Sequence, residues 1–149
     1  MQAIRTLTAA WFLTLFASAT LAGEGIAWQT DLDAARTESQ QSNRPLMLFV
    51  TSSNCPYCVK MQNDTFRNPA VVAELNANFV PVKIDRGTHP ALERKLAVRL
   101  YPTIVIIDDA DVEIRRVTGF TAPASFVGML QKVEAEWLAA RPRPGTTVK

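Results

Sequence analysis

The sequence predicts an α/β domain in which a central mixed β-sheet is flanked by helices on both faces. Three observations predict it. Two short, unbroken apolar runs, Leu46–Val50 and Thr103–Ile107, are the mark of strands buried on both faces. Strand-like runs alternate with helical patterns along the chain, which argues for a sheet sandwiched between helices. The four-residue turn Asp108–Asp111 joins two strands too tightly for a crossover, so that pair is antiparallel and the sheet is mixed.

The elements follow in order. Ile26–Trp28 is expected to form a short first strand. Asp31 to about Ser42 reads as a helix capped by Thr30 or Asp31 and broken by Asn43-Arg44-Pro45. After the Leu46–Val50 strand, polar Thr51–Asn54 turns the chain. A helix then starts at Cys55-Pro56, where Pro56 suits the first turn. Asn68-Pro69 is a cap followed by a first-turn proline, and Val71, Val72 and Leu75 supply that helix with an apolar stripe. Phe79–Ile84 is the next strand. His89-Pro90 opens a helix with Leu92 and Leu96 on its apolar side. Val112–Val117 reads as an edge strand ended by Gly119. Pro123–Ala140 is the last helix, because Phe126, Leu130, Val133 and Trp137 recur on one face.

Length and composition suit one domain. The chain has 149 residues, of which 48% are hydrophobic, enough for a core and too many for a disordered chain. A net charge of +2 gives no reason to expect nucleic acid or an anionic membrane as partner. The N-terminus has the plan of an export signal: Arg5, an apolar stretch from Leu7 to Phe16, then small residues that offer cleavage after Ala19 or Ala22. Residues 1–22 are therefore expected to be a signal peptide, with an uncleaved anchor as the alternative. Residues 23–140 form the domain and 141–149 a flexible tail rich in proline. A periplasmic or secreted location without stable membrane association follows once the signal is removed.

The chemistry centres on Cys55-Pro56-Tyr57-Cys58, which holds both cysteines of the chain. A buried strand leads into the pair and a helix leads out of it. At a helix start, unpaired backbone N–H groups and the helix dipole favour a nearby anion, so a thiolate at Cys55 is stabilised there. Cys55 is expected at the exposed lip and Cys58 one turn deeper, which makes Cys55 the attacking nucleophile and Cys58 the resolving thiol. Two other readings exist. A purely structural disulfide over so short a loop would constrain little of the unfolded chain. A metal half-site would need a second chain, since two cysteines cannot complete a zinc site alone. Tyr101-Pro102-Thr103 is a second feature. Proline belongs at a strand start, and by sequence alone the bond before Pro102 fits cis or trans.

The Cys55-Pro56-Tyr57-Cys58 motif, followed by Tyr101-Pro102-Thr103 ahead of the next-to-last strand, resembles the thioredoxin superfamily. The stretches Asp31-Leu32-Asp33-Ala34-Ala35, Pro45-Leu46-Met47-Leu48, Thr65-Phe66-Arg67-Asn68-Pro69-Ala70-Val71 and Val117-Thr118-Gly119-Phe120 are similar to the C-terminal periplasmic thioredoxin domain of DsbD-type thiol:disulfide interchange proteins. The resemblance implies a thioredoxin-like fold with Pro102 cis and facing the cysteines. It implies substrate contacts by Tyr101 and Pro102 beside Pro56 and Tyr57, and no bound cofactor or metal. It further implies partners that are protein thiols and disulfides, with an upstream thiol electron donor or acceptor.

Three positions depart from the family pattern. Asn54 stands where many thioredoxins have Trp, Phe49 where they have a buried acid, and Pro81 near their buried lysine. These departures put the proton relay attributed to that acid in question. The leading expectation is reduction or isomerisation of disulfides in exported proteins. The alternatives are a net oxidant, a glutaredoxin-like enzyme sharing the same four-residue motif, and a non-catalytic binding module.

Among other residues, His89 reads as a solvated or capping group and Lys60 as a solvent-facing helix residue. Asp64 and Asp85 read as surface carboxylates, and Trp28 and Trp137 as core packing.

Overall fold

The structure is a computed structural model that describes residues 25–141. The expected signal peptide, residues 1–22, and residues 142–149 of the expected tail lie outside the described residues. The elements are α1 (Leu32–Ser42), β1 (Leu46–Thr51), α2 (Pro56–Lys60), a π-helical turn (Met61–Thr65), α3 (Pro69–Asn78), β2 (Val80–Asp85), α4 (Pro90–Lys95), β3 (Thr103–Ile107), β4 (Glu113–Thr118) and α5 (Pro123–Ala140).

The sheet runs β2-β1-β3-β4, with β1 parallel to β2 and antiparallel to β3, and β4 antiparallel to β3. The mixed sheet is therefore as expected. β1 and β3 occupy its centre and are buried along their whole length, which is why their sequences are apolar without alternation.

Successive side chains of a strand point to opposite faces, and β1 sorts its residues accordingly. Met47 and Phe49 face a core shared with Cys58, Met61, Phe66, Leu75, Phe126 and Leu130. Leu46, Leu48 and Val50 face a second core with Leu32, Ala35 and Leu92. The stripe Phe126, Leu130, Val133 and Trp137 of α5 is buried as its spacing predicts. Asp31 caps α1 by accepting from the backbone N–H groups of Asp33 and Ala34, and Asn68 caps α3 in the same way.

The expected strand at Ile26–Trp28 does not form. Only Gln29 pairs, as a single bridge to Val82 at the β2 edge. The neighbouring proline limits the pairing. Gln29 N–H donates to the Pro81 carbonyl and Lys83 N–H to the Gln29 carbonyl, so the outer edge of β2 alternates, and Pro81 has no N–H to continue it. Trp28 instead lies against Phe49 and Phe66, with ring centroids 5.7 and 5.0 Å away. At the other end, Arg141 is held over the Trp137 ring at 4.3 Å and donates to Asp109 at 3.0 Å.

Candidate active site

β1 delivers the chain to the site. It ends at Thr51, and Ser52–Asn54 turn the backbone into Cys55, which adopts an extended conformation (φ −126°, ψ 97°) as the residue capping α2. Pro56 occupies the first turn, where a missing N–H costs nothing. The Cys55 carbonyl accepts from Cys58 N–H at 3.0 Å and Val59 N–H at 3.1 Å. The Cys55 sulfur also accepts from Cys58 N–H, at 3.1 Å. Cys55 thus does with sulfur what Ser or Asp does with oxygen at an ordinary helix cap.

Cys55 and Cys58 form a disulfide, with Cα atoms 5.2 Å apart. Cys55 is 9% exposed and Cys58 1%. The order of accessibility is the expected one, but its degree is not: Cys55 lies in a recess rather than on an open lip. The reason is the capping role, which turns its sulfur toward the helix N–H and toward Cys58. The lip itself is made by Asn54, Pro56 and Tyr57, all exposed.

A hollow of about 250 Å³ opens beside Cys55. Asn54, Pro56 and Tyr57 form one wall; Arg99, Leu100 and Tyr101 form the other. Tyr57 and Leu100 are 63% and 66% exposed, unusually bare for residues of their kind. The Tyr101–Pro102 bond is cis. Tyr101 is half-buried and lines the hollow, whereas Pro102 is buried behind it, its carbonyl accepting from Gly119 N–H at 2.7 Å. Of the residues singled out in the sequence, Cys55, Pro56, Tyr57 and Tyr101 therefore meet in one hollow.

A larger hollow, about 690 Å³, lies elsewhere, between the start of α1 and α4, and no cysteine lines it. Its carboxylates are engaged locally: Asp31 caps α1, Arg36 pairs with Asp33 and Asp111, and Lys95 with Asp111, while Arg94 on its rim has no ion pair among the described residues. Of the two, the smaller hollow is the one lined by a cysteine of the pair.

Beneath the pair the environment is aromatic. Phe49 is fully buried, with Phe66 edge-on at 4.9 Å and Phe126 beyond it at 5.8 Å from Phe66. No Asp, Glu, Lys, Arg or His is fully buried among the described residues, but the partly buried Lys83 of β2 stands opposite Phe49 in the β1–β2 register, on the same face of the sheet. No carboxylate of the described residues takes the place of Phe49 within this core; the ionisable side chain beside it in register is Lys83.

The remaining candidates sit where the sequence placed them, with two refinements. Lys60 pairs with Asp64 and lies 4.7 Å from the Phe120 ring centre, so it braces the helix surface. His89 occupies the cap position of α4 but makes no capping bond; its Nδ1 meets the Thr88 hydroxyl at 3.0 Å. Asp85 is exposed. Trp137 is buried and donates from Nε1 to the Asn43 carbonyl at 3.0 Å.

Sequence reasoning missed the π-helical turn after α2. Phe66 N–H bonds back to the Met61 carbonyl at 3.0 Å, and Thr65 Oγ1 donates to the Thr121 carbonyl at 2.6 Å. That turn swings Phe66 under the cysteines and ties the helix to the loop before α5. No residue pattern announces it, because it arises from tertiary packing.

Comparison with known proteins agrees with this geometry. The thioredoxin-like domain family matches residues 32–134. The chain is 36% identical over 107 residues to the thiol:disulfide interchange protein DsbD of Pectobacterium atrosepticum, covering 68% of this chain and 18% of that protein. It is 23% identical over 120 residues to the thioredoxin-related protein DsbJ of Chlamydia pneumoniae, covering 72% of this chain and 34% of that one. The chain spans about a third or less of the length of the curated relatives it matches.

Among solved structures, a thioredoxin from Thermus thermophilus superposes with a TM-score of 0.69 at 25% identity, over 84% of this chain and 99% of that one. The C-terminal domain of Neisseria meningitidis DsbD superposes at 0.60 and 18% identity, over 71% and 98%, a likeness of fold. The chain belongs to the thioredoxin-like family, and its Cys55–Cys58 pair places it among the thioredoxin-like disulfide oxidoreductases.

Proposed function

We propose that this chain reduces or isomerises disulfides in other proteins outside the cytoplasm, with Cys55 attacking and Cys58 resolving. The observation that carries the reading is the Cys58 N–H aimed at the Cys55 sulfur at the mouth of the hollow. A hydrogen bond to a sulfur that becomes anionic favours the thiolate over the thiol.

The reduced dithiol acts in two steps. The Cys55 thiolate attacks one sulfur of the substrate disulfide; a Cys55–substrate bond forms, the substrate S–S bond breaks, and one substrate thiolate leaves. The Cys58 thiol then gives up its proton and attacks the Cys55 sulfur. The Cys55–Cys58 disulfide forms and the second substrate thiolate departs. The oxidised form described here is the product of that cycle, and an upstream dithiol donor restores the thiols. Isomerisation uses the first step and its reversal at a different substrate sulfur.

Pro56, Tyr57 and Tyr101 contact the substrate chain from the two walls of the hollow, and Pro102 positions Tyr101 from behind. The residues 1–22 pattern supports export and a periplasmic or secreted location. Among the described residues, no helix is long and apolar enough to cross a membrane. The names of the DsbD and DsbJ relatives agree with disulfide chemistry as the activity.

The test is turnover. Reduced protein mixed with a protein disulfide and a dithiol donor should release substrate thiols catalytically, and the Cys55→Ala/Cys58→Ala double variant should not. N-terminal sequencing of exported material should start near residue 20 or 23. Equal rates with and without the cysteines would refute the exchange reading; full-length protein held in the membrane would refute signal cleavage.

A further inference from the structure

The hollow beside Cys55 does not end at Tyr101. A second hollow of about 410 Å³ shares Arg99 and Tyr101 with it and continues to Arg86, Glu93 and Arg94. Resting on the exchange reading above, we propose that the disulfide partner presents an acidic segment next to its reactive cysteine, received by Arg86, Arg94 and Arg99 along this continuous groove.

The charge pattern argues for it. Arg36, Arg44, Arg115, Arg116 and Arg141 each pair with a carboxylate of this chain. Arg86, Arg94 and Arg99 are all exposed, and among the described residues none of them forms an ion pair. The one carboxylate lining this groove, Glu93, is engaged locally: it accepts from Gly87 N–H at 2.7 Å and lies 3.5 Å from the Tyr101 hydroxyl. Asp85, at the end of β2, lines neither hollow; the hollow by α1 shares Pro90 and Arg94 with this groove, but its carboxylates are engaged elsewhere, Asp31 in capping α1, Asp33 and Asp111 by Arg36, and Asp111 also by Lys95.

Position adds direction to the charge. The Arg86 guanidinium lies over the Tyr101 ring, 5.7 Å from its centre, which holds it at the groove rather than out in solvent. Leu100 and Tyr57 flank Cys55 and offer apolar contact to residues nearest the partner's cysteine. An extended chain laid from Cys55 over Tyr101 therefore meets Tyr57, Leu100 and Arg99 in the first hollow and the guanidinium groups of Arg86 and Arg94 after them. Guanidinium groups suit carboxylates in geometry as well as charge. Such rim charges raise association rates and make them salt-dependent, without altering the exchange chemistry.

The experiment uses the reduced full chain and peptide disulfides whose cysteine is followed by Asp/Glu, Gln or Lys residues. Acidic peptides should react about tenfold faster than lysine peptides at low ionic strength, with the ratio falling to about two at 0.5 M salt. The triple variant Arg86→Gln/Arg94→Gln/Arg99→Gln should bring the ratio near one. Arg67→Gln, which removes another exposed, unpaired arginine outside the groove, should leave the ratio as it was. Equal rates for all peptides, or a ratio that survives the triple variant, would overturn the proposal while exchange itself stands. A charge preference seen with glutathione disulfide but with none of the peptides would overturn the protein segment as occupant. Failure to react with any disulfide would overturn the exchange reading, and this inference with it.

Discussion

The backbone N–H of Cys58 points at the sulfur of Cys55 across 3.1 Å. A residue that caps a helix is fixed in direction by the cap, so the reactive sulfur needs no loop motion to be placed. The same geometry leaves Cys58, 1% exposed, within bonding reach of Cys55 and out of reach of a bulky substrate. The proposed division of labour between the two sulfurs rests on that relationship.

The aromatic support beneath the pair should be a large part of the stability. Phe49 is fully buried and meets both Trp28 and Phe66. Phe49→Ala should lower unfolding free energy by about 3–5 kcal/mol. Chemical denaturation followed by circular dichroism would measure it, and a loss below 1 kcal/mol would show that the cluster is not a structural keystone.

Phe49→Asp tests the electrostatics of the same place. The titratable neighbour in register is Lys83 of β2, partly exposed, whereas Phe49 itself is fully buried. Full burial raises the pKa of an Asp there and the solvent-screened Lys83 ammonium offsets only part of that, so its folded-state pKa would rise above the unfolded value of about 3.9. Below that value both states are protonated and the charge has no effect. As pH rises past it the unfolded chain ionises first, so the variant should lose stability with increasing pH, relative to wild type. Denaturation at pH 4 and pH 7 would read the slope. A variant that gains stability over that range would contradict the account.

Arg44 joins α1 to the end of α3. Its Nη1 donates to the Asn76 and Phe79 carbonyls at 2.8 and 3.0 Å, covering the end of α3, and its Nη2 pairs with Glu38 on α1. Cationic side chains at a helix C-terminus satisfy carbonyls that have no partner within the helix. Arg44→Ala should cost about 1.5–3 kcal/mol. Arg44→Lys should recover only part, because a single ammonium does not reproduce the fork. A thermal melt of the two variants distinguishes them; equal melting points would show that charge alone matters.

Thr65 closes the loop before α5 through its buried hydroxyl. Thr65→Val keeps the shape and strands the Thr121 carbonyl, at a cost of about 1–3 kcal/mol. Hydrogen exchange should show the added protection loss at residues around Thr121 rather than across the sheet. A uniform loss over β1 and β3 would place the hydroxyl's role elsewhere.

Much of this architecture is legible in the residues. Leu46–Val50 and Thr103–Ile107 are apolar because both faces of central strands are covered. Asp31 and Asn68 mark helix starts because capping chemistry is local. The four-residue face of α5 survives because helical spacing alone puts Phe126, Leu130, Val133 and Trp137 on one side, toward the core. What escaped the sequence depends on packing between distant segments. Ile26–Trp28 has the composition of a strand, yet Pro81 has no N–H to offer it on the neighbouring β2 edge. The π-helical turn at Met61–Thr65 is set by where Phe66 must go. The arginine groove escaped for a similar reason. Arg86, Arg94 and Arg99 come from a turn, a helix and a loop, and only the fold shows that they lack carboxylates and line one groove. The cysteines were legible because strand, motif and helix start are contiguous in the chain.

The most direct measurement is trapping. Cys58→Ser and Cys55→Ser variants, incubated with oxidised protein substrates and separated without reductant, are analysed by mass spectrometry for covalent complexes. The account predicts mixed disulfides through Cys55 in the Cys58→Ser variant and none in the Cys55→Ser variant, since only the capped, more accessible sulfur attacks. Efficient trapping by Cys55→Ser, or complexes joined through Cys58 in the wild type, would contradict it.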